Sequence, residues 1–288
     1  MTTQKEDEWL YTISSKRKFI DFNFKEIWRY RDLLVLFVKR DIVTLYKQTI
    51  LGPLWYLIQP LFTSVIFTLV FNNLGDIKTG GIPPFLFNLA GITAWNYFKD
   101  CLTNTSNTFT KNQGIFGKVY FPRVILPMSI TVSNLLKFGI QLLIFIGFFI
   151  YYSWAGHDLD FSGYILLFPL YVIIMGMLGL GLGMIFSSLT TKYRDLTVLL
   201  NFAVQLLMYV SAVPYPMSEA KAKFPPLVAK IVEYNPVTQI IEGFRYMLLD
   251  TGDFNLGKFL YTLLISIGLF MLGLVIFNRT EKSFIDTV

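Results

Sequence analysis

Lys111–Pro127 reads KNQGIFGKVYFPRVILP, and this segment decides how the rest of the chain is understood. It is basic, aromatic and broken by Pro122, and it lies between two long apolar runs. Before it, Gly80–Phe98 carries no charge; after it, Val124–Trp154 is interrupted only by Lys137. A water-soluble core does not set a short cationic corner between apolar stretches of that length. A membrane protein does so at its cytoplasmic face, where Lys and Arg collect.

Working outward, six segments approach the roughly 20 apolar residues that cross about 30 Å of hydrocarbon. They are Leu54–Leu74, Pro83–Phe98, Val124–Trp154, Gly163–Leu189, Leu196–Val213 and Gly257–Phe277. Backbone in lipid must satisfy its own hydrogen bonds, so each is expected to be a helix. The fold class is an all-α integral membrane protein with six transmembrane helices. Composition agrees: the 288 residues are 54% hydrophobic and 15% charged, with a mean hydropathy of +0.53. Soluble domains carry about 25% charged residues. The net charge of +6 lies between the apolar runs, as membrane orientation requires, and not on a face that would grip nucleic acid.

With both termini inside, the inner segments hold 18 Lys and Arg and the outer segments 6. The reverse orientation would invert every short loop, so both termini are expected in the cytoplasm. The chain divides into a cytoplasmic segment 1–24, an amphipathic helix 25–48, a six-span domain 49–277 and a cytoplasmic tail 278–288. The membrane domain has an inner loop 99–123 and an outer region 214–256. In helix 25–48, Ile27, Leu34, Phe37, Val38, Ile42 and Leu45 share one face, opposite Arg29, Asp32, Lys39 and Lys47. Such a helix lies along the inner membrane surface or packs on a partner, and both can hold at once. The outer region offers two short apolar stretches, Pro225–Tyr234 and Val237–Leu249, split at Asn235-Pro236. They fit interfacial or re-entrant helices before the last span. The first 50 residues are charged, with Leu33–Val38 their longest apolar run, so no cleavable signal peptide is expected.

The chemistry of catalysis is missing. One cysteine, Cys101, and one histidine, His157, exclude Cys-based or multi-His metal sites and argue against a Ser-His-Asp triad. There is no phosphate-binding G-x-x-x-x-G-K-[ST] loop. Gly179, Gly181 and Gly183 lie in the fourth span, where small residues let helices approach closely. Asp158 and Asp160 read as an acidic outer loop. The spans contain no carboxylate, and Lys137 is their one ionisable residue. It faces a water-filled path or a partner, where it could hold an anionic headgroup or phosphate, or it snorkels to the inner surface. A pathway without a coupling-ion site or ATPase must be driven by another polypeptide.

The order of motifs is similar to that of a known family. It runs from the basic amphipathic helix through Leu51–Trp55 (LGPLW), Gln59–Leu61 (QPL) and Lys118–Arg123 (KVYFPR). Tyr193–Asp195 (YRD), Asn235-Pro236 and Glu242–Arg245 (EGFR) follow. From about Lys25 to Phe277 the chain resembles the membrane subunit of type-2 ABC exporters, in particular the permeases that export O-antigen, capsular and teichoic-acid polymers. The resemblance implies a homodimer in the bacterial cytoplasmic membrane, with two separate nucleotide-binding subunits and an undecaprenyl-linked glycan as substrate. ATP and Mg would be bound by those partners, and this chain would be a transport subunit, not an enzyme. It implies a coupling helix near Ser106–Gly117. The coupling candidates are Lys111, Phe116, Lys118, Tyr120, Phe121, Pro122 and Arg123, with Tyr193, Arg194 and Asp195. Arg123 and Lys118 would pair with acidic groups of the partner or with lipid phosphates, or Arg123 would simply anchor the topology. The implied channel lining is Trp55, Tyr56, Phe62, Trp95, Tyr97 and Phe98 together with Lys137, although Trp and Tyr also gather at membrane interfaces. The outer gate would hold Pro214, Pro236, Glu242 and Arg245, the last two forming a gating contact or an ordinary surface pair. Competing readings are a small-molecule or lipid exporter, a membrane-embedded enzyme of envelope polymer synthesis, and a passive channel.

Overall fold

A computed structural model describes residues 28–47, 52, 54–112, 114, 121–193, 195–252 and 254–285. The expected segment 1–24, the first residues of the amphipathic helix, the last three residues of the tail, and the coupling candidates Phe116, Lys118, Tyr120 and Arg194 lie outside the described residues.

Among the described residues the regular structure is helical. The helices are α1 (Arg31–Lys47), α2 (Leu54–Phe67), α3 (Pro84–Ser106), α4 (Thr108–Lys111), α5 (Ile125–Trp154) and α6 (Phe168–Lys192). They continue with α7 (Leu196–Val210), α8 (Met217–Lys223), α9 (Pro226–Tyr234), α10 (Pro236–Leu249) and α11 (Leu256–Ile285). α2 runs on as a π-helical stretch, Thr68–Leu74, and a 3₁₀ turn, Ile165–Leu167, leads into α6. Prolines at the first positions of α3, α6, α9 and α10 set φ for helix entry where no N–H partner is needed.

Among the described residues, four stretches are long and apolar enough to cross a membrane: Leu54–Leu74, Ile125–Trp154, Ile165–Lys192 and Leu256–Thr280. The other two expected spans differ for separate reasons. α3 has 23 residues, about 35 Å of rise, but it is the central helix and carries polar residues between its apolar ones. α7 has only 15 residues, about 22 Å.

α3 packs against α2, α5, α6, α7 and α10, so almost every side chain from Leu86 to Trp95 is buried. α6 packs against α3 on one side and α11 on another. The glycines expected to allow close approach do so. A Cβ at Gly179 would sit 2.8 Å from Cys101 Cβ, and one at Gly183 2.6 Å from Thr105 Cβ, both on α3. A Cβ at Gly181 would sit 2.7 Å from Phe270 Cα on α11, where Gly273 returns the contact onto the Gly181 carbonyl. Larger residues would force both helix pairs apart.

Three apolar clusters result. The main one joins α3, α5, α6 and α10. A second gathers Phe37, Phe109, Phe121, Ile125, Met184 and Phe277. A third gathers Ala212, Tyr215, Met217, Ala220 and Val232. α1 lies against α5 with Phe37 buried, while Val35, Leu36 and Val43 stay exposed, so its apolar residues divide between the bundle and the surroundings.

Candidate functional site

The outer region is built around one buried cation. Val237, Ile240, Ile241, Phe244 and Leu248 turn one face of α10 into the main core, as their helical spacing predicts. Arg245 projects from that helix and is 1% exposed. Its Nη1 donates to the carbonyls of Ala212 at 2.8 Å and Tyr215 at 3.5 Å, and to Glu242 Oε1 at 3.2 Å. Nη2 donates to the Val213 carbonyl. The guanidinium lies 3.8 Å from the Phe87 ring centroid and against Gly91, where a Cβ would collide with Nη2. The turn it grips holds Ala212 at φ +52°, a conformation unusual for a residue with a Cβ. Asn235 caps α10 by accepting from Val237 N–H and also donates to Val210 O and Ser211 Oγ, so it ties the last carbonyl of α7 to the start of α10. Burial lowers the Arg245 guanidinium to about 10, opposed by Glu242, which leaves it charged at neutral pH. Burial raises the Glu242 carboxyl, opposed by Arg245 and by the Met217 N–H. The expectation of an ordinary surface pair gives way to a correction: the arginine is an internal clamp. Pro214 is buried in the clamped turn, and Pro236 opens α10.

A second outer link is more exposed. Glu233 on α9 accepts from Lys221 Nζ and Lys258 Nζ, each at 2.8 Å, joining α8, α9 and α11. Those lysines hold its carboxyl below the usual range.

The contact between α3 and α5 carries a different cation cluster. Hydropathy ends the second span at Phe98 and shows Lys137 alone, whereas α3 continues unbroken to Ser106 and carries Lys99 and Asp100 to the side of α5. Lys137 Nζ is 3.7 Å from Asp100 Oδ2, Lys99 Nζ is 3.9 Å from Asp100 Oδ1, and Lys137 Nζ stands 5.0 Å from the Tyr56 ring centroid. Amides continue the polar track on both sides. Asn96 donates to Gln141 at 3.3 Å and Asn104 to Asn134 at 3.4 Å. Lys99 and Asp100 are the members of this site that hydropathy alone does not reveal. The signal available was the absence of any Pro or Gly between Phe98 and Ser106.

The aromatic channel candidates separate. Trp55 and Phe62 are exposed on α2, 50% and 66%, and Tyr56 is half-buried beside Lys137. Trp95, Tyr97 and Phe98 are buried, and all three make ring contacts: Trp95 with Phe98 at 5.6 Å and Tyr97 with Phe138 at 5.1 Å. For these three the lining expectation is corrected: α3 is central, so its aromatics fill the core.

The inner corner is packed, not loose. Phe121 is buried against Phe37 at 5.7 Å, and Phe109 on α4 stacks on Phe277 of α11 at 4.5 Å. Thr190 Oγ1 on α6 donates to the Ser106 carbonyl at 3.0 Å. Arg123 is 5% exposed and engaged within the chain, so the expectation that it faces a partner or lipid phosphates is corrected. Lys111, Tyr193 and Asp195 are exposed, and Lys192 Nζ lies 5.2 Å from the Tyr193 ring centroid.

A helical bundle with four described helices long and apolar enough to cross a membrane has the architecture of an integral membrane protein. The ABC-2 type transporter family matches residues 32–249, and the chain belongs to that family. Two relatives from Klebsiella pneumoniae, each described as an O-antigen export system permease protein RfbA, are 27% and 26% identical over 256 and 255 residues. Both alignments cover 88% of this chain and 94% of the relative. A protein of the same description from Myxococcus xanthus is 26% identical over 196 residues, 67% of this chain and 72% of that one.

Proposed function

We propose that this chain is the permease subunit of an ATP-driven exporter that carries a lipid-linked polysaccharide of the O-antigen type across the bacterial cytoplasmic membrane. The observation that carries the reading is similarity to O-antigen export permeases along nearly the whole of both chains. The helices give it a physical frame. Six spans are assigned, with α3 shielded at the centre and α7 lengthened by the clamped turn that follows it. Both termini lie in the cytoplasm. The exposed apolar side of α9, with Leu227, Ile231 and Tyr234, suits outer helices that touch the bilayer without crossing it.

The chain's part in transport is mechanical and electrostatic. Two copies form the pathway and two nucleotide-binding subunits supply ATP and Mg chemistry. The subunit contact is assigned to the inner face, with exposed Lys111, Tyr193 and Asp195. The stacked Phe109–Phe277 pair and the tilted Phe37–Phe121 pair support transmission, because a packed corner moves as one piece. Trp55 and Phe62 on α2 offer rings on which sugar C–H faces can slide.

The test is to purify the tagged chain from its native membrane in mild detergent and weigh the particle. An ATPase subunit at one to one, in an assembly of two plus two, is expected. The chain alone, or with glycosyltransferases and no ATPase, would overturn the proposal.

A further inference from the structure

We infer that Lys137 and Lys99, with the Tyr56 ring beside them, form a receiving site for a phosphate-ester headgroup, and that Asp100 is the internal counter-ion the headgroup displaces. The geometry of the cluster carries this. Two ammonium groups approach one carboxylate at 3.7 and 3.9 Å, beyond hydrogen-bonding distance. Lys99 donates to Asn96 Oδ1 at 3.3 Å, but among the described residues Lys137 reaches no hydrogen-bond acceptor. The side chains are neither sealed nor open: 15% of Lys137, 26% of Asp100 and 29% of Lys99 remain accessible.

Charges in a membrane-spanning bundle face an internal path or a partner rather than lipid. An ammonium with three donors and no acceptor is a site waiting for oxygen atoms. With Asp100 alone the trio carries one net positive charge. A phosphodiester brings it to neutral, and a diphosphate exceeds it and draws in both lysines. Phosphate oxygens can reach about 2.7–2.9 Å from an ammonium, distances the carboxylate does not reach here. Tyr56 covers one side of Lys137, and the Asn96–Gln141 and Asn104–Asn134 pairs continue polar contacts along the path in both directions. The identity of the headgroup, the diphosphate of a polyprenyl-linked glycan, rests on the exporter reading; the phosphate chemistry does not.

The experiment uses the full chain with its co-purifying subunits in nanodiscs of neutral phosphatidylcholine. These are titrated with farnesyl diphosphate, inorganic diphosphate and phosphatidylglycerol. Saturable binding of farnesyl diphosphate is expected. Lys137→Met should weaken it about tenfold or more, and Asp100→Asn should tighten it about threefold. Opposite signs are the signature of displacement; a structural ion pair would make both variants bind less well. The double variant Lys137→Met/Asp100→Asn leaves neither of those charges unpaired, should keep the wild-type melting profile, and should bind weakly. Wild-type affinity in Lys137→Met or in the double variant overturns the site, as does weaker binding in Asp100→Asn. Lys137-dependent binding of phosphatidylglycerol with equal affinity supports the phosphate chemistry and assigns the source to bulk lipid. Binding of inorganic diphosphate alone overturns a headgroup site. Surface polymer is scored in parallel in cells lacking the chain. If it disappears while binding is independent of Lys137, the site fails and the exporter stands. If it persists while binding depends on Lys137, the exporter fails and the site stands.

Discussion

Arg245 on α10 and Lys137 on α5 pose the same physical problem, a cation surrounded by apolar helices, and the chain answers it in two ways. Arg245 is closed off at 1% exposure, donates to three carbonyls and a carboxylate, lies on Phe87, and has a glycine opposite to make room. Lys137 keeps part of its surface open and meets one carboxylate at a distance too long for a hydrogen bond. An arginine whose planar fork is matched to fixed carbonyls is a structural fastening. A lysine with spare donors and a movable counter-ion can exchange partners. The number of donors used therefore separates the two roles better than residue type or depth does.

The largest effect should follow from breaking the fastening. Arg245→Met is expected to cost about 3–5 kcal/mol, because it strands Glu242 and frees the carbonyls of the 212–215 turn. Thermal unfolding in detergent and protease nicking within 214–256 would report it. An unchanged melting profile would mean that Arg245 is as replaceable as Lys137. Next comes Gly91→Ala, expected to lose about 1–3 kcal/mol by driving a Cβ into the guanidinium. Combined with Arg245→Met, the Gly91→Ala penalty should shrink, since the atoms it strikes are gone; strict additivity would show that Gly91 serves some other contact. Lys137→Met should change stability by less than about 1 kcal/mol, because Asp100 keeps Lys99 and the methionine fills the same apolar space. Polymer export per molecule should nevertheless fall severalfold. A stability loss equal to that of Arg245→Met would erase the contrast.

The smallest effect is electrostatic. Lys221 and Lys258 depress the Glu233 carboxyl, so their contribution is complete above its ordinary value of 4.5 and is lost as pH falls through the depressed value in the folded chain. Both lysines are substantially exposed, so screening keeps the contribution modest. Protease resistance of 214–256 should therefore decline below about pH 4.5 in the wild type. Glu233→Gln should flatten that decline, and an identical profile in the variant would assign it to other carboxylates.

Much of this contrast was legible in the sequence, and the parts that were not share one cause. Charge-free runs marked the apolar helices because lipid admits few charges, and the glycines of α6 announced close helix contact because little else tolerates three of them there. Lys137 stood out for the same reason. Its partner did not, because hydropathy ends a span where charges begin, whereas a helix ends where its hydrogen bonds do; α3 carries Asp100 past the apolar limit. Arg245 resembled a surface residue three positions from Glu242, since nothing local records that the turn at Ala212 folds over it. Trp95, Tyr97 and Phe98 fit a channel as well as a core, and only the central place of α3 separates the two.

The π-helical stretch Thr68–Leu74 has a consequence of its own. A wider turn holds about one more residue than an α-turn, and one residue corresponds to about 100° of azimuth. Thr68 and Asn72 meet the Asn88 amide at 3.1 and 2.8 Å only in this phase. The stretch therefore acts as an angular offset written into the chain. Deleting a single residue there would leave composition and hydropathy nearly untouched. It would turn everything between the π-turn and α3 out of phase with the helix it has to meet.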